Sequence, residues 1–299
     1  MPQLHLTAVV SMVDSGGSTG RLRDELGILP PGDILKCILA LSPHREIARK
    51  IFLKKFAGGS RLEGHNAGNM LLTMLSRYTG SFPTGVQSLA EILDVRGKIL
   101  PVTIDRATLV AELTDGTRIY GERAIDVPRG NQREKIRDVF LVPHHSDSIS
   151  VYPPVIDAVN VSDFIIIGPG DLFTSIIPSL IVEGVREALR ETSARILYVV
   201  NIMTKFGETH NFSGKDFVQK LEDCLARRVH VILYNSARPA EEICARYGEQ
   251  KAEFVEIDPA DEWWRGRQVC ACDMLDTSGG VVRHDSKKLA WIIQEIISS

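Results

Sequence analysis

The chain has 299 residues, 44% hydrophobic and 24% charged, with a formal net charge of -3. That length buries a large core, and the slight acidity excludes a general attraction for nucleic acid or anionic membranes, so positive charge matters only inside a pocket. No run approaches the ~18 uninterrupted apolar residues of a membrane helix, and Met1-Pro2-Gln3-Leu4-His5 lacks the features of a signal peptide, so a cytoplasmic protein is expected.

The first predicted strand, Leu6–Val13, is apolar almost throughout, as a strand covered on both faces must be. After Leu29-Pro30-Pro31-Gly32-Asp33 come Ile34, Cys37, Ile38 and Leu41 at helical spacing, with Gly32-Asp33 where an N-cap belongs. Helices are predicted over Ile47–Lys55, Met70–Tyr78 and Thr84–Val95. His65 and Asn69, four apart, are expected to share one helical face. From about residue 97 to 150 the texture changes to short β-branched or alternating runs, Lys98–Thr103, Thr108–Leu113, Arg118–Ala124 and Val139–Val142, with Asp115-Gly116 as a hairpin signal. This segment reads as a small antiparallel β insertion. From Pro154 onward strand and helix alternate through Phe164–Ile167, Val182–Glu191, Ile196–Val200, Lys215–Ala226, Val229–Leu233 and Glu241–Tyr247 to a last helix, Ser286–Ile297. That alternation predicts a single α/β domain over residues 1–299 on a doubly wound, mainly parallel sheet.

Five cysteines, an odd number without a regular framework, predict reduced thiols. Cys270 and Cys272 would face one side of a strand, but no second close pair turns them into a metal site. Trp263 and Trp264 are read as packing for the C-terminal segment, and Arg129, Arg133, Lys135 and Arg137 as a solvated edge.

Four apolar runs end in loops that suit phosphate or ribose. Asp14-Ser15-Gly16-Gly17-Ser18-Thr19-Gly20-Arg21 offers glycines that turn N–H groups toward an anion, with Arg21 and Arg23 for charge. Gly168-Pro169-Gly170-Asp171-Leu172-Phe173-Thr174-Ser175 joins a buried strand to a helix start, which favours phosphate; Asp171 there caps the helix, takes a sugar hydroxyl or holds Mg²⁺. Asn201, Thr204, Glu208 and Thr209 carry amide, hydroxyl and carboxylate groups suited to ribose, uracil or hexose, or to loop turns. Tyr234–Pro239 is the fourth loop. In an open parallel sheet all four would converge beyond the carboxyl ends of the strands. Asp33 contacts a base or ribose, or caps its helix; His65 contacts ligand or serves the scaffold. No cysteine or serine completes a nucleophilic triad with His65, and no catalytic residue or metal ligand is assigned.

The segments Asp14–Arg23, Pro30–Ile34, Gly64–Asn69, Gly97–Pro101, Ile167–Gly170 with Leu172–Ile176, and Asn201–Thr204 with Gly207–Thr209 resemble, in order, the YvcK-like (gluconeogenesis factor) branch of the CofD/YvcK superfamily. The resemblance covers about Leu6 to Asn235. It implies a Rossmann-like fold whose bacterial members bind UDP-N-acetylglucosamine and act in carbon-source adaptation and cell shape. The CofD branch instead transfers phospholactate to a deazaflavin with Mg²⁺. Two departures stand out. The opening strand and Gly-Gly-Gly-Thr-Gly loop of the family are missing ahead of Leu6, and Asp14-Ser15 stands where relatives often carry two aspartates.

The resulting expectation is a cytoplasmic, homodimeric regulatory protein that binds UDP-N-acetylglucosamine and requires no cofactor. Its ligand-binding residues would be Asp14, Gly16, Gly17, Ser18, Gly20, Arg21, Asp33, His65, Asn69, Gly168, Gly170, Asp171, Thr174, Ser175, Asn201, Thr204 and Glu208. NAD(P) and Mg²⁺ stand as alternative ligands. Competing expectations are a CofD-like transferase using Mg²⁺ through Asp14 and Asp171, and a protein-binding effector with a vestigial pocket. An added N-terminal strand and glycine loop would strengthen ligand binding, because the first strand is otherwise left with an unpaired edge.

Overall fold

The computed structural model describes residues 4–16, 19–22, 27–59, 62–130, 132–258 and 260–298. Strand β1 (Thr7–Val10) pairs in parallel with β2 (Lys98–Pro101). Between them in sequence lie helices α1 (Gly32–Leu41), α2 (Arg45–Phe52), α3 (Ala67–Tyr78) and α4 (Phe82–Ile92). The caps explain two of these starts. The Asn66 side chain accepts from the Asn69 N–H at 2.7 Å, and Ser81 accepts from the Thr84 N–H at 3.2 Å with proline next in the first turn. His65 therefore precedes α3, and it does not share a helical face with Asn69 as its spacing predicts.

The insertion is antiparallel, in the order β4-β3-β5: β3 (Ala107–Leu113), β4 (Arg118–Tyr120) and β5 (Ile136–Pro143). Its hairpin turns at Gly116, φ 86°, where the Thr117 N–H donates to the Asp115 carboxylate at 2.8 Å. The run Arg118–Ala124 is not one strand. The chain turns at Gly121, φ 91°, into a five-residue helix, α5 (Glu122–Asp126).

After α6 (Pro153–Val161), the second half forms a four-stranded, all-parallel sheet in the order β6-β7-β8-β9: β6 (Phe164–Ile167), β7 (Arg195–Val199), β8 (Val231–Asn235) and β9 (Gln268–Cys272). Its crossovers carry a π-helical turn (Leu172–Ile176), α7 (Ile177–Leu180), α8 (Val185–Glu191), α9 (Gly214–Leu225) and α10 (Glu241–Glu249). A small ribbon, β10 (Leu275–Asp276) with β11 (Arg283–His284), leads into α11 (Ser286–Ser298).

Alternation along the strands divides the core. Ile196 and Tyr198 of β7 and Ile232 and Tyr234 of β8 join Phe217, Val218 and Leu221 of α9 on one face. Leu197, Val199, Val231 and Leu233 join Met274 and Ile292 on the other, with Leu289, Ile293 and Ile296 of α11 packed against them. Both faces are covered, which is why these strands read as unbroken apolar runs. Cys270 and Cys272 lie against this second cluster, and all five cysteines are free thiols. The parallel strands fall into two sheets rather than one. Among the described residues β1 pairs only with β2, and Val9 of β1 and Ile166 of β6 are exposed. No helix among the described residues is long and apolar enough to cross a membrane.

One ion pair lies inside the second half. Arg267 and Glu222 are 6% and 7% exposed and meet through two bonds of 2.6 and 2.9 Å. Glu222 also accepts from the Val229 N–H at 3.0 Å, and the Arg267 guanidinium stacks 3.8 Å from the Trp263 ring centroid. Trp264 is buried beside it, so the tryptophans pack the C-terminal segment as expected. Removing one partner leaves a buried charge, so Arg267→Met should cost about 3–5 kcal/mol in chemical denaturation. Adding Glu222→Gln should restore most of it, since the amide oxygen still accepts from Val229. A cost below about 1 kcal/mol for the single variant would show that the carboxylate is solvated.

Candidate functional site

Two of the four loops meet beyond the carboxyl ends of β6 and β7. Gly168 has φ 82°, and a side chain there would stand 2.9 Å from the Val199 carbonyl oxygen, so the turn needs glycine. The Gly170 carbonyl accepts from the Asn201 side-chain amide at 3.0 Å, tying the loop after β6 to the loop after β7. Asp171 does not cap the following turn. Its carboxylate is 2.7 Å from the Lys205 ammonium.

Lys205 is the hub. Its Nζ contacts Asp171, Glu208 at 3.1 Å and Asp126 of α5. Glu208 is 1% exposed and receives the Thr174 hydroxyl at 3.2 and 3.3 Å. Burial pushes the Glu208 carboxyl up to about 7, against the opposing pull of Lys205, and Asp171 pushes it further. The Lys205 ammonium is held above the usual lysine range by Glu208 and Asp171, which outweigh its desolvation. One oxygen each from Asp126, Asp171 and Glu208 lie within 4.8 Å of one another, a metal-like constellation with an ammonium bonded to all three residues.

The loops open onto a cavity of 720 Å³ lined by Asp171, Asn201, Thr204, Lys205, Tyr247 and Arg283, among others. The Asn201 Oδ1 and His284 Nε2 atoms at its wall are buried and have no partner among the described residues. Thr204 is fixed to Glu253 by both its N–H, at 2.7 Å, and its hydroxyl, at 2.8 Å. The Tyr247 hydroxyl accepts from the Val282 N–H at 2.9 Å. Tyr247, Arg283 and His284 carry no motif in the sequence, because they come from α10 and β11, beyond the last recognisable segment.

The first loop sits elsewhere. Asp14 accepts from the Gly16 N–H at 2.8 Å, and its carboxyl is raised chiefly by burial and further by Asp33. A side chain at Gly20 would overlap the Ser15 carbonyl. Arg21 donates to the Glu63 carbonyl at 2.6 Å, and Asp33 pairs with Lys36 at 2.8 Å, so Asp33 is not the cap of α1. Gly17 and Ser18 lie outside the described residues. The Ser15 N–H and hydroxyl reach Glu122 at 3.3 and 3.5 Å, and the Arg123 N–H donates to the Ser15 hydroxyl at 3.0 Å. Helix α5 thus links the first loop, through Glu122, to the Lys205 hub, through Asp126. Neither Asp14, Arg21 nor Asp33 lines the large cavity, and nor do His65 and Asn69, which are buried around the start of α3. Thr174 is buried in the hub and does not line the cavity, and Ser175 is exposed. In the fourth loop Asn235 bonds the Ala237 carbonyl at 2.6 Å and the Met274 N–H at 2.9 Å, which is structural work.

Because the folded protein holds a proton on Glu208 that an unfolded chain releases near pH 4.5, this group stabilises the fold below that pH. The contribution is lost as pH rises through about 7. The stability of the wild type relative to Glu208→Gln should fall by roughly 3 kcal/mol between pH 4.5 and pH 7, read from paired denaturation curves. A difference that stays flat over this window would mean that Glu208 is ionised throughout.

The family model of 2-phospho-L-lactate transferase CofD matches residues 3–275. A gluconeogenesis factor of Bacillus subtilis is 36% identical over 293 residues, 98% of this chain and 90% of that protein. A gluconeogenesis factor of Halalkalibacterium halodurans is 35% identical over 291 residues, 97% of this chain and 88% of that protein. A crystal structure of a Bacillus halodurans protein superposes with a TM-score of 0.89 at 35% identity, covering 97% of this chain and 91% of the other. With the α/β fold, the glycine turn after β6 and the polar loop after β7 in place, the chain belongs to the CofD family, in its YvcK-like, gluconeogenesis-factor branch.

Proposed function

We propose that the protein is a cytoplasmic, homodimeric regulator that binds UDP-N-acetylglucosamine in the 720 Å³ cavity and acts in carbon metabolism and cell shape. The observation that carries this reading is the cavity itself, set where open α/β sheets bind ligands and walled by two polar loops. Its wall offers Asn201 and Thr204 for sugar or uracil hydrogen bonds, and Tyr247 and Phe206 as rings beside a base. Lys205 is committed to three carboxylates. The diphosphate therefore falls to Arg283 and to the backbone at Gly170.

The transferase alternative needs a divalent cation. Asp14 and Asp171 belong to different clusters, the first bonded to the Gly16 N–H and the second to Lys205. In the one three-carboxylate group found among the described residues, Lys205 stands where the ion would sit. These residues do not fit Mg²⁺ while Lys205 is in place.

Calorimetric titration separates the readings. UDP-N-acetylglucosamine should bind more tightly than UDP or NAD, and EDTA should leave its affinity unchanged. Loss of binding in EDTA that Mg²⁺ restores would favour the transferase. Arg283→Gln removes a charged hydrogen-bond donor and should weaken binding by about 1.5–3 kcal/mol, while Asp33→Asn leaves it unaltered. Equal affinity of Arg283→Gln and the wild type would move the ligand out of this cavity.

A further inference from the structure

A second cavity of 570 Å³ lies beside the first and shares with it only the Phe206 wall. The end of α10 and the turn after it separate the two: Tyr247, Gln250 and Ala252 face the large cavity, and Gly248, Lys251 and Glu253 the small one. Gln132, Arg133, Glu134, His210 and Asn211 complete its polar wall.

Three features distinguish this cavity from a solvated edge. Arg133 is half-buried, and one guanidinium nitrogen donates to the Ile125 carbonyl at 2.8 Å. Its Nε and Nη2 are buried with no partner among the described residues, which leaves donor capacity unmet. Lys251 holds φ 54° and Asn211 φ 61°, two of the four non-glycine residues with positive φ among those described. Asparagine tolerates that conformation readily and lysine does not. The Lys251 ammonium lies 4.8 Å from the Phe206 ring centroid, and the His210 ring 5.6 Å from the same ring, so Phe206 orients both. The His210 Nδ1 accepts from the Gly207 N–H at 3.3 Å, which places the ring proton on Nε2 as a donor.

The charges around His210 are mostly of one sign. Burial and the nearby Lys135, Arg133 and Lys251 hold its imidazole below the usual range, with Glu134 opposing. Glu134 is itself engaged by the Thr114 hydroxyl at 3.1 Å, and Glu253 is exposed at the rim. Arg133 also feels Glu208.

We propose that this cavity is a binding site for a small phosphate monoester, held by Arg133, His210, Asn211 and Lys251. Arg133, the His210 Nε2–H and the Lys251 ammonium line this one cavity, so a dianion there is offset by two cations and a ring donor. The site does not rest on the nucleotide-sugar reading, so the two stand or fall separately.

The probes are inorganic phosphate and glycerol 3-phosphate, titrated at low salt while the His210 ring is followed by NMR. Saturable binding should raise the His210 pKa by about half a unit or more, because an anion offsets the surrounding cations. Lys251→Gln and His210→Gln should each weaken phosphate binding by about tenfold. Both side chains lie at the cavity wall, so these variants serve even where Arg133→Met fails to fold. UDP-N-acetylglucosamine affinity should be unchanged in Lys251→Gln. Three results would overturn the proposal: no saturable change at His210, equal phosphate affinity in both variants, or competition between phosphate and UDP-N-acetylglucosamine for His210.

Discussion

The arrangement of the loops depends on one ammonium group. Lys205 comes from the loop after β7 and binds Asp171 from the loop after β6, Asp126 from the insertion and Glu208 three residues along its own loop. Three carboxylates around one lysine carry an excess of negative charge if all are ionised. Full burial of Glu208 relieves that excess by favouring its protonated form. The Thr174 hydroxyl, fixed on the π-helical turn, then keeps a partner in either state. Removing the ammonium would leave carboxylates from three separate elements facing one another with nothing to hold them.

That arrangement also decides where phosphate can go. A ligand near Asp171 meets a cluster with no spare positive charge, so an anionic group is favoured only on the Arg283 side of the cavity or along backbone N–H groups. A lysine in the centre of a metal-like triad gives fixed charge without ligand exchange. This is a scaffold's solution more than a Lewis acid's.

Much of the frame is legible in the chain. The apolar run Ile196–Val200 and the run Val229–Leu233, interrupted only by His230, declare strands buried on both faces, and Asp115-Gly116 declares its hairpin. Helix limits shift by two or three residues because caps, such as Asn66 and Ser81, set the starts. The site was only half legible. The glycine turn at Gly168 and the polar loop from Asn201 are local signals, and both line the cavity. Helix α5 is not a local signal: five residues after a three-residue strand look like more strand. Its value lies in Asp126 meeting Lys205 across 79 positions and Glu122 meeting Ser15 across 107. Arg133 reads as one of four solvated cations, since nothing in the sequence shows an arginine stem folded over Gly207 with its guanidinium against the Ile125 carbonyl. The first glycine loop is a fair anion-site pattern, but among its described residues the donors of Ser15, Gly16 and Arg21 close on Glu122, Asp14 and Glu63 within the protein.

The insertion is therefore not an ornament on the sheet. Its helix α5 holds the first loop at one end and the Lys205 hub at the other, and the segment after it carries Pro128 into the large cavity and Arg133 into the small one. Residues Thr204 to Phe206 are shared in the same way: Thr204 is pinned to Glu253, Lys205 to three carboxylates, and Phe206 forms the wall between the cavities. A displacement of this short segment cannot be local. It must strain the Thr174–Glu208 contact, the α5 contact and the turn carrying Lys251 together, because each is closed by a hydrogen bond or an ion pair that starts in those residues or beside them.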